Sequence, residues 1–218
     1  MKIKIAVIDY GMGNIKSVVN ALHCCKVETE VIKSPLEIKN FDAIILPGVG
    51  AFSPAIKFLK LKRFDVAIRD YANCSDKMIY GICLGFQLFF TKSYENGEHY
   101  GLNLISGEVK KIETYKNLKI PHIGWNNINI LDTQNSKKMF DTINTNELFY
   151  FVHSYYVQPK NLQQISSICN YGTNFCSSIV YKNIWGTQFH PEKSGAKGLK
   201  ILVNFVKEVK LNACNSGN

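Results

Sequence analysis

Residues 78–90 read Met-Ile-Tyr-Gly-Ile-Cys-Leu-Gly-Phe-Gln-Leu-Phe-Phe, an apolar strand that runs into a glycine-flanked cysteine and then into an apolar helix start. This is the nucleophile-elbow pattern, in which glycines flank the central nucleophile on both sides. The turn is tight and strained, so its neighbours must lack side chains that would collide with the strand or the helix. The N–H groups of the following helix favour a thiolate. The pattern predicts that Cys83 is a nucleophile; the alternative is a buried cysteine between two incidental glycines.

The segments before the elbow alternate between strand and helix signals. Compact apolar runs predict strands, and apolar residues at helical spacing, such as Ile15, Val18 and Leu22, predict helices. The predicted strands cover residues 4–8, 29–32, 42–46 and 78–80, and the predicted helices cover about 14–25 and 54–72. Short strands between helices are typical of a parallel sheet with helices on both faces.

The segments after the elbow are richer in β signals, punctuated by Asn, Gly and Asp. The predicted strands cover residues 109–112, 120–123, 127–130, 148–157, 165–170, 177–181 and 184–188, and a final helix covers about 195–212. We therefore expect an α/β fold, with a mostly parallel central sheet, flanking helices and antiparallel β additions. Because no linker interrupts the chain, we expect a single domain over residues 1–212 and a polar tail over 213–218.

Composition and charge exclude several classes of protein. Of the 218 residues 46% are hydrophobic, but no apolar run reaches the roughly 18 to 20 residues that span a bilayer. The start of the chain lacks a signal peptide's cleavage region, so we expect a cytoplasmic protein without membrane association. The net charge is +9, yet Lys and Arg are scattered singly or in pairs, which predicts no nucleic-acid binding. A basic surface that faces a phosphorylated substrate or an acidic partner fits equally well.

The seven cysteines form no disulfide or metal framework, because their number is odd and no CxxC or Cys/His ligand spacing occurs. We expect no metal. The six cysteines other than Cys83 are predicted to be small buried residues.

A thiolate needs a base, and the segment Trp185-Gly-Thr-Gln-Phe-His-Pro-Glu192 supplies a candidate. His190 follows an apolar strand, and active sites of open α/β sheets collect at the carboxyl ends of strands. Glu192 comes two residues later, across a rigid proline, where it can orient the imidazole. Cys83, His190 and Glu192 together match the triad logic of acyl transfer. The remaining histidines are predicted to be structural (His23, His99) or core or wall groups (His122, His153).

The loop Pro47-Gly-Val-Gly-Ala-Phe52 directly follows a predicted strand. Its small residues let backbone N–H groups approach a ligand and donate to a developing oxyanion. Alone, this pattern is more often just a turn.

With these three segments assembled, the chain resembles the class I (triad) glutamine amidotransferases. More narrowly, it resembles the glutaminase subunits of imidazole glycerol phosphate synthases, which serve histidine biosynthesis. The motifs that carry the resemblance span the chain in order: DYGMGN at 9–14, PGVGAF at 47–52, GICLGFQL at 81–88, GLNLISG at 101–107, PHIGWN at 121–126, YFVHSY at 150–155 and GTQFHPEKSG at 186–195.

The resemblance implies a reaction. Cys83 attacks the glutamine amide, His190 protonates the departing ammonia, and water hydrolyses the γ-glutamyl thioester. The oxyanion donors would be the Leu84 N–H and one from Val49–Gly50, in a loop that reorients when the partner binds.

The resemblance also implies binding residues. Those that hold glutamine would be Gly50, Gln87, Glu95, Ser154 and Tyr155. Asn14 and Lys193 would lie at the interface with a (β/α)8-barrel cyclase subunit, through which ammonia reaches a phosphorylated ribulose substrate. No cofactor is implied. Phe86, where Met is common, and Asn103, where Gly is frequent, are departures that leave the catalytic set intact.

Two other functions compete with this one. A paralogous glutaminase with the same chemistry could feed another acceptor, such as a surface-sugar amidotransferase. A catalytically silent subunit could keep the fold for binding or regulation, although the complete triad argues against it.

Overall fold

The computed structural model describes residues 2–113 and 118–215 of the chain. The strands are β1 (Lys4–Ile8), β2 (Glu28–Ile32), β3 (Ala43–Leu46), β4 (Met78–Ile82), β5 (Phe90–Ser93), β6 (His99–Tyr100), β7 (Ile105–Lys111), β8 (His122–Asn127), β9 (Asn129–Ile130), β10 (Leu148–His153), β11 (Tyr155–Pro159), β12 (Ile165–Tyr171), β13 (Thr173–Tyr181) and β14 (Ile184–Thr187). The helices are α1 (Ile15–Cys24), α2 (Phe52–Leu61), α3 (Phe64–Ala72), α4 (Leu84–Gln87), α5 (Gln134–Met139) and α6 (Gly195–Asn215).

The parallel part of the main sheet has the strand order β2-β1-β3-β4-β14. The inner strands β1, β3 and β4 are mainly apolar on both sides, because helices cover both faces, whereas the edge strand β2 buries only Ile32. In β1, Ile5 and Val7 face the core under α1 and α6, whereas Ala6 and Ile8 face the core under α2 and α3. Both cores are therefore built by the period-two alternation of the same strands.

The antiparallel part begins at β14, which pairs parallel with β4 and antiparallel with β13. Strand β13 also pairs with β11 and β12, and the sheet ends in β7, β5 and β6, of which β7 and β5 pair parallel. Strands β8 and β10 form a separate two-stranded antiparallel ribbon. The expected α/β class, a mostly parallel sheet with antiparallel additions, is confirmed.

Two predicted elements are each divided in the structure. The helix predicted over 54–72 is broken at Arg63, which adopts the left-handed conformation (φ 62°) between α2 and α3. The strand predicted over 148–157 is interrupted at Ser154, so that β10 lies in the ribbon and β11 in the main sheet. At both breaks the chain changes direction and its second half packs against a different element. Such tertiary contacts cannot be read from local sequence patterns.

Helix α6 runs to Asn215, three residues into the segment predicted to be a polar tail, and residues 216–218 lie outside the described residues. Elements β5, β6 and α5 were not predicted. Within residues 2–113 and 118–215, no helix is long and apolar enough to cross a bilayer.

Candidate active site

Cys83 lies on a strained turn between β4 and α4. Its backbone has φ 53° and ψ −108°, a region that a residue with a side chain rarely adopts. The flanking glycines have no room for a side chain: a Cβ on Gly85 would lie 1.8 Å from Leu46 O, and one on Gly81 would lie 2.5 Å from the Phe89 ring. The helix that follows is a single turn, shorter than the pattern suggested. The elbow geometry is therefore enforced by packing around the two glycines.

His190 and Glu192 reach the elbow because β14 and β4 are parallel neighbours. Thr187 is in register with Ile82, and the Cys83 N–H donates to Thr187 O (2.8 Å), so both chains leave the sheet at the same edge. The short turn Pro191–Lys193 then folds Glu192 back, and His190 Nδ1 donates to Glu192 Oε1 at 2.7 Å. This bond fixes the tautomer, so that the neutral ring has a free lone pair on Nε2.

The charge of His190 is set by its acidic neighbours. Burial by itself lowers the pKa of this imidazole, but the Cys83 thiolate and the Glu192 carboxylate together raise its pKa to about 10. Nε2 makes no hydrogen bond of ordinary geometry to any of the described residues, and Cys83 raises the pKa of the ring through its charge and a loose hydrogen-bonding contact. Such loose contacts are common before substrate binds. The arrangement favours an imidazolium at His190.

A cavity of about 350 Å³ opens over the cysteine. Its volume lies within the range of small-molecule sites. The predicted residues that line it are Val49, Gly50, Cys83, Leu84, Gln87, Glu95, Ser154, Tyr155, His190 and Lys193. Glu192 lies behind His190, with its side chain only 1% exposed. The cavity thus brings together every residue predicted for catalysis and glutamine binding, with Glu192 in direct contact behind it.

Two residues predicted to bind glutamine also hold the walls of the cavity together. Gln87 Nε2 donates to Tyr155 O (2.8 Å) and to Gln188 Oε1 (3.0 Å), so only its oxygen Oε1 is left for a ligand. Glu95 Oε2 accepts the Phe52 N–H at 2.7 Å, which ties it to the start of α2. Each side chain is therefore oriented before a ligand arrives.

In the loop predicted to supply an oxyanion donor, residues 47–52, the glycines Gly48 and Gly50 differ in the space around them. A Cβ on Gly48 would lie 2.8 Å from Gly85 N, whereas one on Gly50 would meet only the tip of Met12, at 3.0 Å. Gly50 has φ +95°, which favours glycine. The hydroxyl of Tyr10 is buried next to Gly48 and has no hydrogen-bond partner among the described residues. Thus Gly48 is locked against the elbow, and Gly50 has space around it.

The two predicted interface residues lie on elements that contact each other. Asn14 caps α1, accepting from Ser17 N at 3.4 Å, and α1 packs on the turn Pro191–Lys193. Lys193 is exposed at the cavity rim, with Nζ 5.8 Å from the centre of the Tyr150 ring. Tyr150 in turn meets Trp125 edge-to-face, at 6.0 Å between centroids.

A buried histidine pair, His122 and His153, stands beside the site. His153 Nδ1 donates to Tyr155 O (2.9 Å), His122 Nδ1 donates to His153 Nε2 (3.0 Å), and Asn126 Nδ2 donates to His122 Nε2 (3.3 Å). A carbonyl can only accept, so this order of donors follows from Tyr155 O. Burial lowers the pKa of His122 to about 4, and burial with the neighbouring histidines lowers that of His153 to about 3. Both rings are neutral members of the core and the cavity wall.

The cysteines are less uniform than predicted. Cys24, Cys74 and Cys214 are exposed and Cys25 is half-buried, which corrects the expectation of six buried residues. Cys169 and Cys176 are buried, and burial raises the pKa of the Cys169 thiol to about 12. Among residues 2–113 and 118–215, no group of three or more His, Cys, Asp or Glu side chains could hold a metal ion.

Comparison with known proteins places the chain in a family. The sequence model "Glutamine amidotransferase class-I" matches residues 6–209. The chain is 43% identical over 203 residues to "Imidazole glycerol phosphate synthase subunit HisH 1" of Campylobacter jejuni subsp. jejuni, a match that covers 93% of this chain and 99% of the relative. It is 42% identical to "Imidazole glycerol phosphate synthase subunit HisH" of Moorella thermoacetica, covering 98% and 99%. Its fold is similar to the crystal structure of a putative GMP synthase protein of Thermoplasma acidophilum (TM-score 0.77, 18% identity, 100% and 99% coverage).

Proposed function

The chain belongs to the class I glutamine amidotransferase family, and we propose that it is the glutaminase subunit of an imidazole glycerol phosphate synthase. It hydrolyses L-glutamine to glutamate and passes ammonia to a cyclase subunit for histidine biosynthesis. The observation that carries the chemistry is the placement of Cys83, His190 and Glu192 around one cavity. The chain is 42–43% identical to the Campylobacter and Moorella subunits over nearly its full length, which supports a role in this synthase rather than in a paralogous one.

The residues divide the reaction among them. The Cys83 thiolate adds to the amide carbon of glutamine, and the carbonyl electrons move onto oxygen, where the Leu84 N–H and one N–H of the Val49–Gly50 segment stabilise them. As the C–N bond breaks, imidazolium His190 gives its Nε2 proton to the leaving ammonia. Water then attacks the thioester, His190 takes its proton, and the thiolate leaves. Glu192 keeps Nε2 aimed at the sulfur in both halves of the cycle.

The partner surface is proposed on the rim around Lys193. Trp125 and Ile123 are 55% and 60% exposed on the β8–β10 ribbon, and Trp125 contacts Tyr150 beneath Lys193. Aromatic residues are enriched at the centre of protein interfaces, whereas charged residues lie mostly at the polar rim. We place the (β/α)8-barrel cyclase against this rim and Asn14, where it would cover the mouth of the cavity and receive the ammonia. A cytoplasmic location and the absence of a metal or cofactor stay predictions.

Labelling tests the nucleophile. A glutamine-directed chloroketone should alkylate Cys83 and inactivate the enzyme, while Cys169 and Cys176 stay unlabelled because burial raises their pKa. The exposed Cys24, Cys74 and Cys214 serve as internal controls, since an excess of glutamine should protect Cys83 and not them. Mass spectrometry that locates the protected label on another cysteine, or full activity in Cys83→Ala, would refute the assignment.

Ammonia release with and without the cyclase subunit and its nucleotide substrate tests the partner. We expect slow hydrolysis by the free chain and strong stimulation by the complex, because the Gly50 peptide can turn its N–H toward the oxyanion at low cost. One donor is worth roughly 10² to 10³ in rate. Gly50→Pro removes that N–H and should reduce the stimulated rate more than the basal rate, whereas Gly50→Ala strains the loop but keeps the N–H. Stimulation by a sugar amidotransferase instead of the cyclase would favour the paralogous function.

A further inference from the structure

The nucleophile has two polar neighbours that the triad does not account for: the carbonyl of Val152, 3.8 Å from Cys83 Sγ, and the side chain of Gln188. Gln188 Nε2 lies 3.6 Å from Cys83 Sγ, within the distance at which an N–H donates to sulfur. Gln188 is completely buried, and its backbone N–H is held by Ser177 O at 2.9 Å. A buried amide aimed at the reacting atom needs a chemical reason.

The orientation of the Gln188 amide is fixed by its other neighbour. Its Oε1 accepts from Gln87 Nε2 at 3.0 Å, and the second hydrogen of that nitrogen goes to Tyr155 O. Rotating the Gln188 amide by 180° would set its nitrogen against the Gln87 nitrogen and its oxygen against the sulfur. The contact between the two nitrogens would be repulsive, and the oxygen would repel a thiolate, so the Gln188 amide presents an N–H to Cys83.

We infer that Gln188 is a further catalytic residue, whose amide N–H stabilises the Cys83 thiolate, and that Gln87 is the positioning residue which holds this amide in place. The inference rests on the proposed function, since it assigns a role within the same reaction. The donor and His190 approach the sulfur from residues two apart at the end of β14.

The contribution changes along the reaction. A thiolate is a strong acceptor, whereas the sulfur of a thioester is a weak one. The Gln188 bond is therefore made with the free thiolate, weakened when the C–S bond forms, and restored when water displaces the thiolate. It increases the fraction of enzyme in the reactive state and assists the second step, in which sulfur leaves with the electron pair.

Two substitutions separate this role from a structural one. Gln188→Met keeps the volume and removes the donor, so the pH of half-maximal alkylation of Cys83 by iodoacetamide should rise by about one unit, with glutaminase turnover roughly tenfold lower. Gln188→Glu keeps the bond from Gln87 but sets an oxygen against the sulfur, so its profile should rise further than that of Gln188→Met. Because that carboxylate would also repel the thiolate by charge, Gln188→Met is the decisive variant: a purely structural role predicts that its profile equals that of the wild type. Gln163→Met, at an exposed glutamine, is the matched control and should leave the profile unchanged.

A measurement on the unsubstituted side chain guards against variants that do not fold. In protein labelled with ¹⁵N-glutamine, the Gln188 side-chain resonances should move when Cys83 is alkylated and in Cys83→Ala. Unmoved resonances, or an alkylation profile of Gln188→Met equal to that of the wild type, would overturn the inference. Because alkylation of Cys83 is measured without turnover, this result is distinct from a failure of the proposed function, which would appear as glutaminase activity in Cys83→Ala.

Discussion

Buried histidines occur in two regions of this molecule, and their charges differ. His122 and His153 lie in the β8–β10 ribbon, where their neighbours are Phe151, Phe175, Tyr171 and neutral hydrogen-bonding groups. His190 lies at the end of β14, between a thiol and a carboxylate. Burial lowers the pKa in every case, and only the two acidic partners of His190 reverse the result. A histidine's neighbours, rather than its depth, decide its charge.

The largest expected effect is on activity. His190→Asn removes the base and the proton donor, so glutaminase turnover should fall by at least roughly 10² to 10⁴-fold, the range for general acid–base groups. The same substitution at His122 should instead lower the free energy of unfolding by about 1 to 3 kcal/mol, since it breaks a buried network. Steady-state kinetics and urea unfolding of both variants measure the contrast. A severe loss of turnover in a folded His122→Asn variant would contradict the contrast between a catalytic His190 and a structural His122.

The second effect concerns acid stability. The folded pKa of His122 and His153 lies below the unfolded value of about 6.5, so their contribution to stability is complete above that pH and is lost as pH falls toward about 4. Each can remove up to about 1.4 kcal/mol per pH unit. For His190 the sign is opposite: its contribution is complete below about 6.5 and is lost as pH rises through about 10.

Urea unfolding between pH 7 and 4.5 measures the acid limb. His122→Asn should flatten the dependence, and His23→Gln, at an exposed histidine, should leave it unchanged. If the free energy of unfolding of His122→Asn falls as steeply with pH as that of the wild type, carboxylates alone cause the loss of stability in acid.

The third effect tests orientation. Glu192→Gln keeps an oxygen that can accept from His190 Nδ1 but removes the charge, so turnover should fall by about 10- to 100-fold, less than in His190→Asn. Turnover equal to that of the wild type would reduce the triad to a Cys83–His190 dyad.

The smallest effect is expected at the outer end of the ribbon network. Asn126→Ala removes the donor to His122 Nε2 and should cost about 1 kcal/mol of stability, because Asn126 is only half-buried and water can replace it. Thermal unfolding at pH 7 measures this loss. A loss as large as that of His122→Asn would mean that the network depends on Asn126 rather than on the histidine pair.

Sequence patterns predicted the elements whose reasons are local. The strands β1, β3 and β4 follow from apolar runs bounded by Asp, Pro or Gly, and the elbow follows from Gly81 and Gly85 around Cys83. The triad could be assembled because Glu192 lies two residues from His190, and both follow a strand.

The features that were missed depend on contacts distant in sequence. Gln188 meets Cys83 across 105 positions, and its role depends on Gln87 lying beside it. The break at Arg63 has no glycine or proline to mark it, because the left-handed turn is imposed by two helices that pack on one sheet face. The sequence alone does not distinguish a neutral histidine pair from a charged histidine, because the charge depends on neighbours that folding brings together.

The crowding around the elbow also limits how this enzyme can change over generations. A Cβ on Gly186 would lie 2.0 Å from the ring of Phe86. While the ring is present, any mutation of Gly186 collides with it; a methionine at 86, being flexible, could move aside. The two sites are therefore epistatic, and a lineage must exchange the ring before the glycine can vary. A directed-evolution library that randomises position 186 alone will return only glycine.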